Sequence, residues 1–208
     1  MAAGTGSYTK YLTEALAHLS RDATLKPLLD RVGAISLKPN PAPSPLYSLA
    51  ESITGQQLNG RAAQAIFERF LALYNGVLSA GAILDTPEET MRSVGLSRAK
   101  TIAIRDLAEK TVSKVIPSWQ ALRRMDDEEI IQRLTQVRGI GRWTVEMMLI
   151  FSLGRPDVWP VDDFAIRKAY GALFGIEAPK PAEMRIRAEA WRPWRSVAAR
   201  YLWKSRDI

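Results

Sequence analysis

At 208 residues with 47% hydrophobic side chains, the chain can bury one large core or two smaller ones. It has no cysteine, which excludes disulfides, thiolate zinc sites and iron–sulfur clusters together. The net charge of +7 is concentrated at one end, where residues 180–208 carry eight Lys/Arg against three acids, a balance that suits a polyanionic partner but also occurs on solvated helices.

No stretch approaches the roughly 20 apolar residues of a membrane span, and Met1–Lys10 has no apolar run of the signal-peptide kind. A monomer working in the cytoplasm, away from membranes, is expected.

The chain reads as helix after helix without an alternating strand pattern. A helical pair is predicted over 8–19 and 22–32. Pro39, Pro41, Pro43 and Pro45 then stand at alternate positions, which favours extended polyproline geometry and blocks helix continuation. This segment is read as the crossing between two lobes. Helices are next predicted over 46–57, 59–74, 86–94, 97–114 and 126–135. Thr86-Pro87-Glu88-Glu89 offers an N-cap, a first-turn proline and a reciprocal glutamate, and Asp126 with Glu129 repeats the pattern. A further helix follows Gly141, with Val145, Met148, Leu149 and Ser152 on one face, and the last helices are expected over 162–174, 181–191 and 194–204. The fold class is therefore all-α, with one lobe over 46–155 and a second made of 1–45 plus 156–208.

The most telling run is Val137-Arg138-Gly139-Ile140-Gly141-Arg142-Trp143-Thr144, with Asp162-Asp163 about twenty residues later. A Gly-Ile-Gly turn can bring two helices close and turn backbone N–H groups outward at a helix start, where unpaired amides and the helix dipole favour an anion such as a phosphate. Taken alone, a tight helical hairpin whose glycines serve only packing explains the turn slightly better. Helix 126–135, the turn 136–141 and the following helix form a helix-hairpin-helix unit. Asp162 and Asp163 are both open to a bland reading as capping or loop charges.

The larger pattern resembles a known family. Leu134, then Gly139-Ile140-Gly141-Arg142-Trp143-Thr144, and a loop Gly154-Arg155-Pro156-Asp157-Val158-Trp159-Pro160-Val161-Asp162-Asp163 resemble the helix-hairpin-helix DNA glycosylase superfamily, whose signature joins the hairpin to a Gly/Pro-rich loop and an aspartate (HhH-GPD). Pro160-Val161-Asp162-Asp163-Phe164 and Trp191-Arg192-Pro193-Trp194-Arg195-Ser196 bring it nearest to the bacterial alkylated-base branch, 3-methyladenine DNA glycosylase II. The likeness runs from about Leu46 onward, without the N-terminal sheet domain of larger relatives. It implies a two-lobed helical fold with a cleft between the lobes. The implied activity is hydrolysis of the N-glycosidic bond of alkylated purines in double-stranded DNA during base excision repair, at the bacterial nucleoid.

The resemblance assigns the catalytic carboxylate to Asp163 and leaves Asp162 as a helix cap. It puts Trp143 and Trp203 in the base pocket, with Met147 where relatives place a tyrosine. Gln56, Gln57 and Leu58 fall at the position of the wedge that fills the gap left by a flipped nucleotide, with Gln57 or Leu58 the inserted residue. The amides of Gly139, Gly141 and Trp143 would meet a phosphate, with Arg142 adding charge, and Arg192 and Arg195 are further phosphate candidates. No cofactor or catalytic metal is implied, though hairpin carbonyls such as those of Val137 and Ile140 can hold a structural sodium or potassium ion. Lysine-bearing relatives place an amine nucleophile where Trp143 stands, so the resemblance implies base release without strand cleavage. The rival readings are a non-catalytic DNA-binding module or damage sensor, and a glycosylase for uracil or mismatched bases.

Overall fold

The computed structural model describes residues 5–207, with side chains from Lys10 onward, and every regular element among them is helical. The chain divides into two compact units. One is Pro41–Met148; the other joins the stretch up to Asn40 to the stretch from Leu149 onward.

In the first stretch, α1 (Thr5–Leu19) leads to α2 (Lys26–Val32). The predicted start at 22 is four residues early because the Asp22 carboxylate accepts from the Thr24 and Leu25 amides and holds a turn there.

The Pro41–Met148 unit opens with α3 (Pro45–Gly55), capped by the Ser44 hydroxyl, and α4 (Gly60–Ala72), capped by Asn59. α5 (Ala80–Asp85) was not anticipated; six residues are too few for a clear 3.6-residue period. α6 (Glu88–Ser93) starts without the expected cap, since the Thr86 hydroxyl instead donates to the Ala82 carbonyl and Pro87 takes the N-cap position. α7 (Arg98–Val112), the unanticipated single turn α8 (Trp119–Leu122), α9 (Asp127–Leu134) and α10 (Arg142–Met148) complete the unit. Asp126 occupies the N-cap of α9 but makes no side-chain cap bond. Ile53, Phe70, Ile83, Met91, Ile104, Leu107, Ile130, Leu134 and Val145 are completely buried. Each such side chain contributes about 1.5–3 kcal/mol through burial.

Beyond α10 the helix widens into a π-turn, Leu149–Leu153. This turn groups with the polyproline stretch: the Asn40 amide donates to the Phe151 carbonyl at 2.9 Å, and a Cβ on Gly154 would sit 2.6 Å from the Pro39 ring. The boundaries therefore fall at 40/41 and 148/149, where the sequence suggested 45/46 and 155/156. α11 (Phe164–Phe174), α12 (Pro181–Ala188) and α13 (Arg195–Lys204) follow.

Trp191 anchors the core of this unit. It packs edge-on against Trp159 at 5.2 Å between ring centres and donates its indole N–H to Asp22 at 2.8 Å. Trp159 and Trp191 are core residues, and Trp194 packs edge-on against Tyr11. Arg192 and Arg195, proposed from sequence as phosphate contacts, are instead held by Asp157 and Glu189 in an internal ion-pair network.

Candidate active site and nucleic-acid interface

Asp163 is the N-cap of α11. Its backbone is extended, and its Oδ1 accepts from the Ile166 amide at 2.7 Å. Asp162, the residue expected to cap, is exposed, and its neighbour does the capping. An adjacent pair of aspartates gives no local signal for which one turns inward, because either spacing to the helix is compatible with capping. The Asp163 side chain is buried at 7% exposure, and Oδ1 also accepts from the Trp203 indole N–H at 3.0 Å. A carboxylate fixed by two directed donors has little freedom to rotate.

Trp203 stands on the last turn of α13. Its ring lies 5.4 Å from that of Phe151 on the π-turn, inclined by 35°. The two rings and Arg200 line an open cavity of about 550 Å³, with Ile35, Ser36 and Lys204 among its other walls. Trp203 was expected only as a pocket wall. It is also the residue that orients Asp163, a role forty positions apart in sequence and invisible to local pattern. Phe151 was not anticipated as a site residue.

The hairpin lies in the other unit. Val137 and Ile140 are buried, whereas Gly139, Gly141, Arg142 and Trp143 are exposed, Trp143 at 46%. Gly139 has φ +81°, which requires glycine. Gly141 has open space where a Cβ would stand, and no neighbour comes closer than 3.7 Å to a Cβ built on Gly139. Close helix packing is therefore not what these glycines serve; they shape the turn and leave its backbone bare. The Arg138 amide donates to Asp106 on α7 at 2.7 Å, so a carboxylate already fills one corner of the hairpin. Arg142 was expected to add charge toward a phosphate. Its guanidinium is engaged instead by Glu128, at 2.9 and 3.2 Å, and by buried Glu146 at 3.1 Å. The Glu128 bond is the main reason its pKa lies above the ordinary arginine value. The Val137 carbonyl accepts from the Ile140 amide and keeps a second lone pair. As a hard neutral oxygen it has the donor chemistry an alkali cation takes.

The loop between α3 and α4 is tied to this hairpin. The Gln56 side chain donates to the Gly139 carbonyl at 2.7 Å, so it braces the turn and is not available as a wedge. Lys100 donates to the carbonyls of Thr54 and Gln56, both at 2.8 Å, fixing the loop from below. Gln57 and Leu58 are exposed, and Gln57 has φ +60°, a left-handed conformation that costs a non-glycine residue about 1–2 kcal/mol. Such strain is found where surrounding structure holds a residue for function. Met147 is half-buried on α10.

With this geometry in place, the family assignment follows. The model of the HhH-GPD superfamily base excision DNA repair proteins matches residues 50–196. The chain belongs to this superfamily. It is 42% identical over 206 residues to DNA-3-methyladenine glycosylase 1 of Schizosaccharomyces pombe, covering 95% of this chain and 89% of that protein. A solved structure of the S. pombe 3-methyladenine DNA glycosylase in complex with abasic DNA superposes with a TM-score of 0.82 at 40% identity, over 94% of this chain and 97% of that one. The crystal structure of a DNA-3-methyladenine glycosidase from Bacillus halodurans gives 0.83 at 31% identity, covering 92% and 88%. DNA-3-methyladenine glycosylase 2 of Escherichia coli is 29% identical over 119 residues, 55% of this chain and 38% of that protein.

Proposed function

We propose that this chain is a monofunctional DNA-3-methyladenine glycosylase of the alkylated-base branch, acting on duplex DNA. The observation that carries the reading is the buried Asp163 carboxylate held by the Ile166 amide and the Trp203 indole. As the bond between C1′ and the base nitrogen breaks, the electron pair leaves with the base and positive charge builds on the sugar. A fixed carboxylate stabilises that charge, and it accepts a proton from the water whose oxygen bonds to C1′. A purine alkylated on a ring nitrogen is already cationic and leaves without a protonating acid, so one carboxylate suffices. Ring faces attract such a base by about 0.5–2 kcal/mol, and Trp203 offers one beside Asp163. Exposed Trp143 offers another on its own unit.

DNA is gripped through the bare hairpin backbone at Gly139 and Gly141, with Gln57 or Leu58 as the wedge. An alkali cation on the Val137 and Ile140 carbonyls would brace the turn. Trp143 in place of a lysine supports hydrolysis without Schiff-base chemistry, and hence without strand cleavage. The test is a panel of duplexes carrying alkylated, deaminated and mismatched bases. Release of 3-methyladenine, leaving alkali-labile sites in an uncut strand, is the expected result. Enzyme-made nicks, or release confined to uracil or mismatched bases, would overturn the reading.

A further inference from the structure

Arg200 stands in the middle of α13. It lies half-buried there, and among the described residues no carboxylate pairs with it and no hydrogen bond satisfies its guanidinium. Its neighbours on the same helix differ: Arg195 is held by Asp157 and Glu189, and Lys204 by Asp207. What Arg200 does touch is the face of the Phe151 ring, 5.1 Å from the centroid. Tyr11 also lies near it, and burial pushes that phenol up to about 12, so at neutral pH it is uncharged and supplies no counterion. Desolvation correspondingly lowers the pKa of Arg200 below the usual arginine value. A charge removed from water without a partner is costly, and a ring face offsets only part of that cost.

Arg200 lines the cavity of about 550 Å³ together with Phe151, Trp203, Ser36, Lys204 and Asp207. Arg200 stacks on Phe151, Phe151 stacks on Trp203, and Trp203 donates to Asp163. The cation is thus three contacts from the carboxylate. We propose that Arg200 is a phosphodiester-binding residue, taking the DNA phosphate next to the nucleotide that Asp163 acts on. This rests on the glycosylase reading but concerns binding rather than chemistry. The planar fork of a guanidinium matches two phosphate oxygens, and a guanidinium without a carboxylate of its own is one an external anion can complete, since Asp207 on the same cavity wall is paired with Lys204.

The test measures binding of a duplex carrying a stable abasic-site analogue, and of the same duplex undamaged, across about 50–200 mM salt. Arg200→Gln should weaken binding to the abasic duplex about tenfold, as expected for a lost charge-assisted hydrogen bond. It should also reduce the slope of log affinity against log salt by about 0.9, one phosphate contact. Arg200→Lys should restore the slope with part of the affinity. Because the replaced cation has no carboxylate paired with it among the described residues and loses only its contact with the Phe151 ring, Arg200→Gln should melt close to the parent, and Arg200→Lys carries the test should the glutamine variant fold poorly. Unchanged affinity and slope in both variants would overturn the proposal, and an equal loss on undamaged duplex would overturn its place beside the reacting nucleotide. Inorganic phosphate, added at constant ionic strength, separates the sources. If it binds the parent but not Arg200→Gln and fails to compete with abasic duplex, the cavity takes a free anion and the DNA assignment is wrong. Binding is read without turnover, so a parent that binds in this way yet releases no alkylated base would sink the glycosylase reading alone.

Discussion

The hairpin and the aspartate site treat charge in opposite ways. At the hairpin, Arg142 is neutralised by Glu128 and Glu146, and Asp106 is held by Lys110 and the Arg138 amide, while the turn backbone stays exposed. Around Asp163, a buried carboxylate accepts from the Ile166 amide and the Trp203 indole, and a cation three contacts away has no carboxylate paired with it among the described residues. The hairpin's charges are spent on one another and on the turn, and they hold the shape of an exposed backbone. At the aspartate site, directed hydrogen bonds from an amide and an indole fix the orientation of a buried carboxylate.

Removing the indole donor while keeping a ring probes the second half most sharply. Trp203→Phe loses the bond to Asp163 Oδ1, a charge-assisted bond worth about 1.5–3 kcal/mol. Single-turnover release of 3-methyladenine should slow by about ten- to a hundredfold, with affinity for abasic duplex unchanged. A loss of affinity with an unchanged rate would make Trp203 a binding wall only.

Asp106→Asn probes the first half. Burial works against the Asp106 carboxylate, but the Arg138 amide and Lys110 outweigh it and hold its pKa below the ordinary aspartate value. Its contribution is therefore fully present above the unfolded pKa and is lost as pH falls through the depressed folded one. At neutral pH the variant should melt as if about 1–3 kcal/mol less stable and bind DNA more weakly. That penalty should shrink as the medium is acidified through the carboxylate range. A penalty that is constant with pH would mean that Asp106 acts through packing rather than charge.

The smallest effects separate the two glycines. Gly139→Ala forces a φ of +81° on a side chain and should cost about 1–2 kcal/mol in thermal stability. Gly141→Ala meets no neighbour and should leave melting unchanged, while the added methyl weakens DNA binding by standing in the open space over the turn. Equal behaviour of the two variants in both assays would contradict the division of roles between shaping the turn and baring it.

What the sequence made legible was local. The alternate prolines, the Gly-Ile-Gly turn and the buried stripe of Val145, Met148 and Leu149 all carry their meaning within a few residues. Their helices stand close to where the pattern put them. Capping was less legible, because a hydroxyl or carboxylate beside a helix start has several competing acceptors and donors. Thr86 turned back to Ala82, and Asp163 rather than Asp162 turned inward. The supports of the site were not legible at all: Asp106 under Arg138, Lys100 under the Gln56 loop and Trp203 on Asp163 join positions 32 to 46 residues apart. Such pairs are set by packing between helices, which no short motif records.

On the proposed function the Asp163 carboxylate performs the chemistry, and Asp163→Asn is the variant that should disable it. The amide keeps the size of the side chain and an oxygen for the Ile166 and Trp203 donors but removes the charge. In single-turnover assays on methylated DNA the variant should release 3-methyladenine about a hundred- to ten-thousandfold more slowly than the parent while binding abasic duplex as tightly. Release at the parent rate would contradict the assignment of Asp163 as the catalytic group.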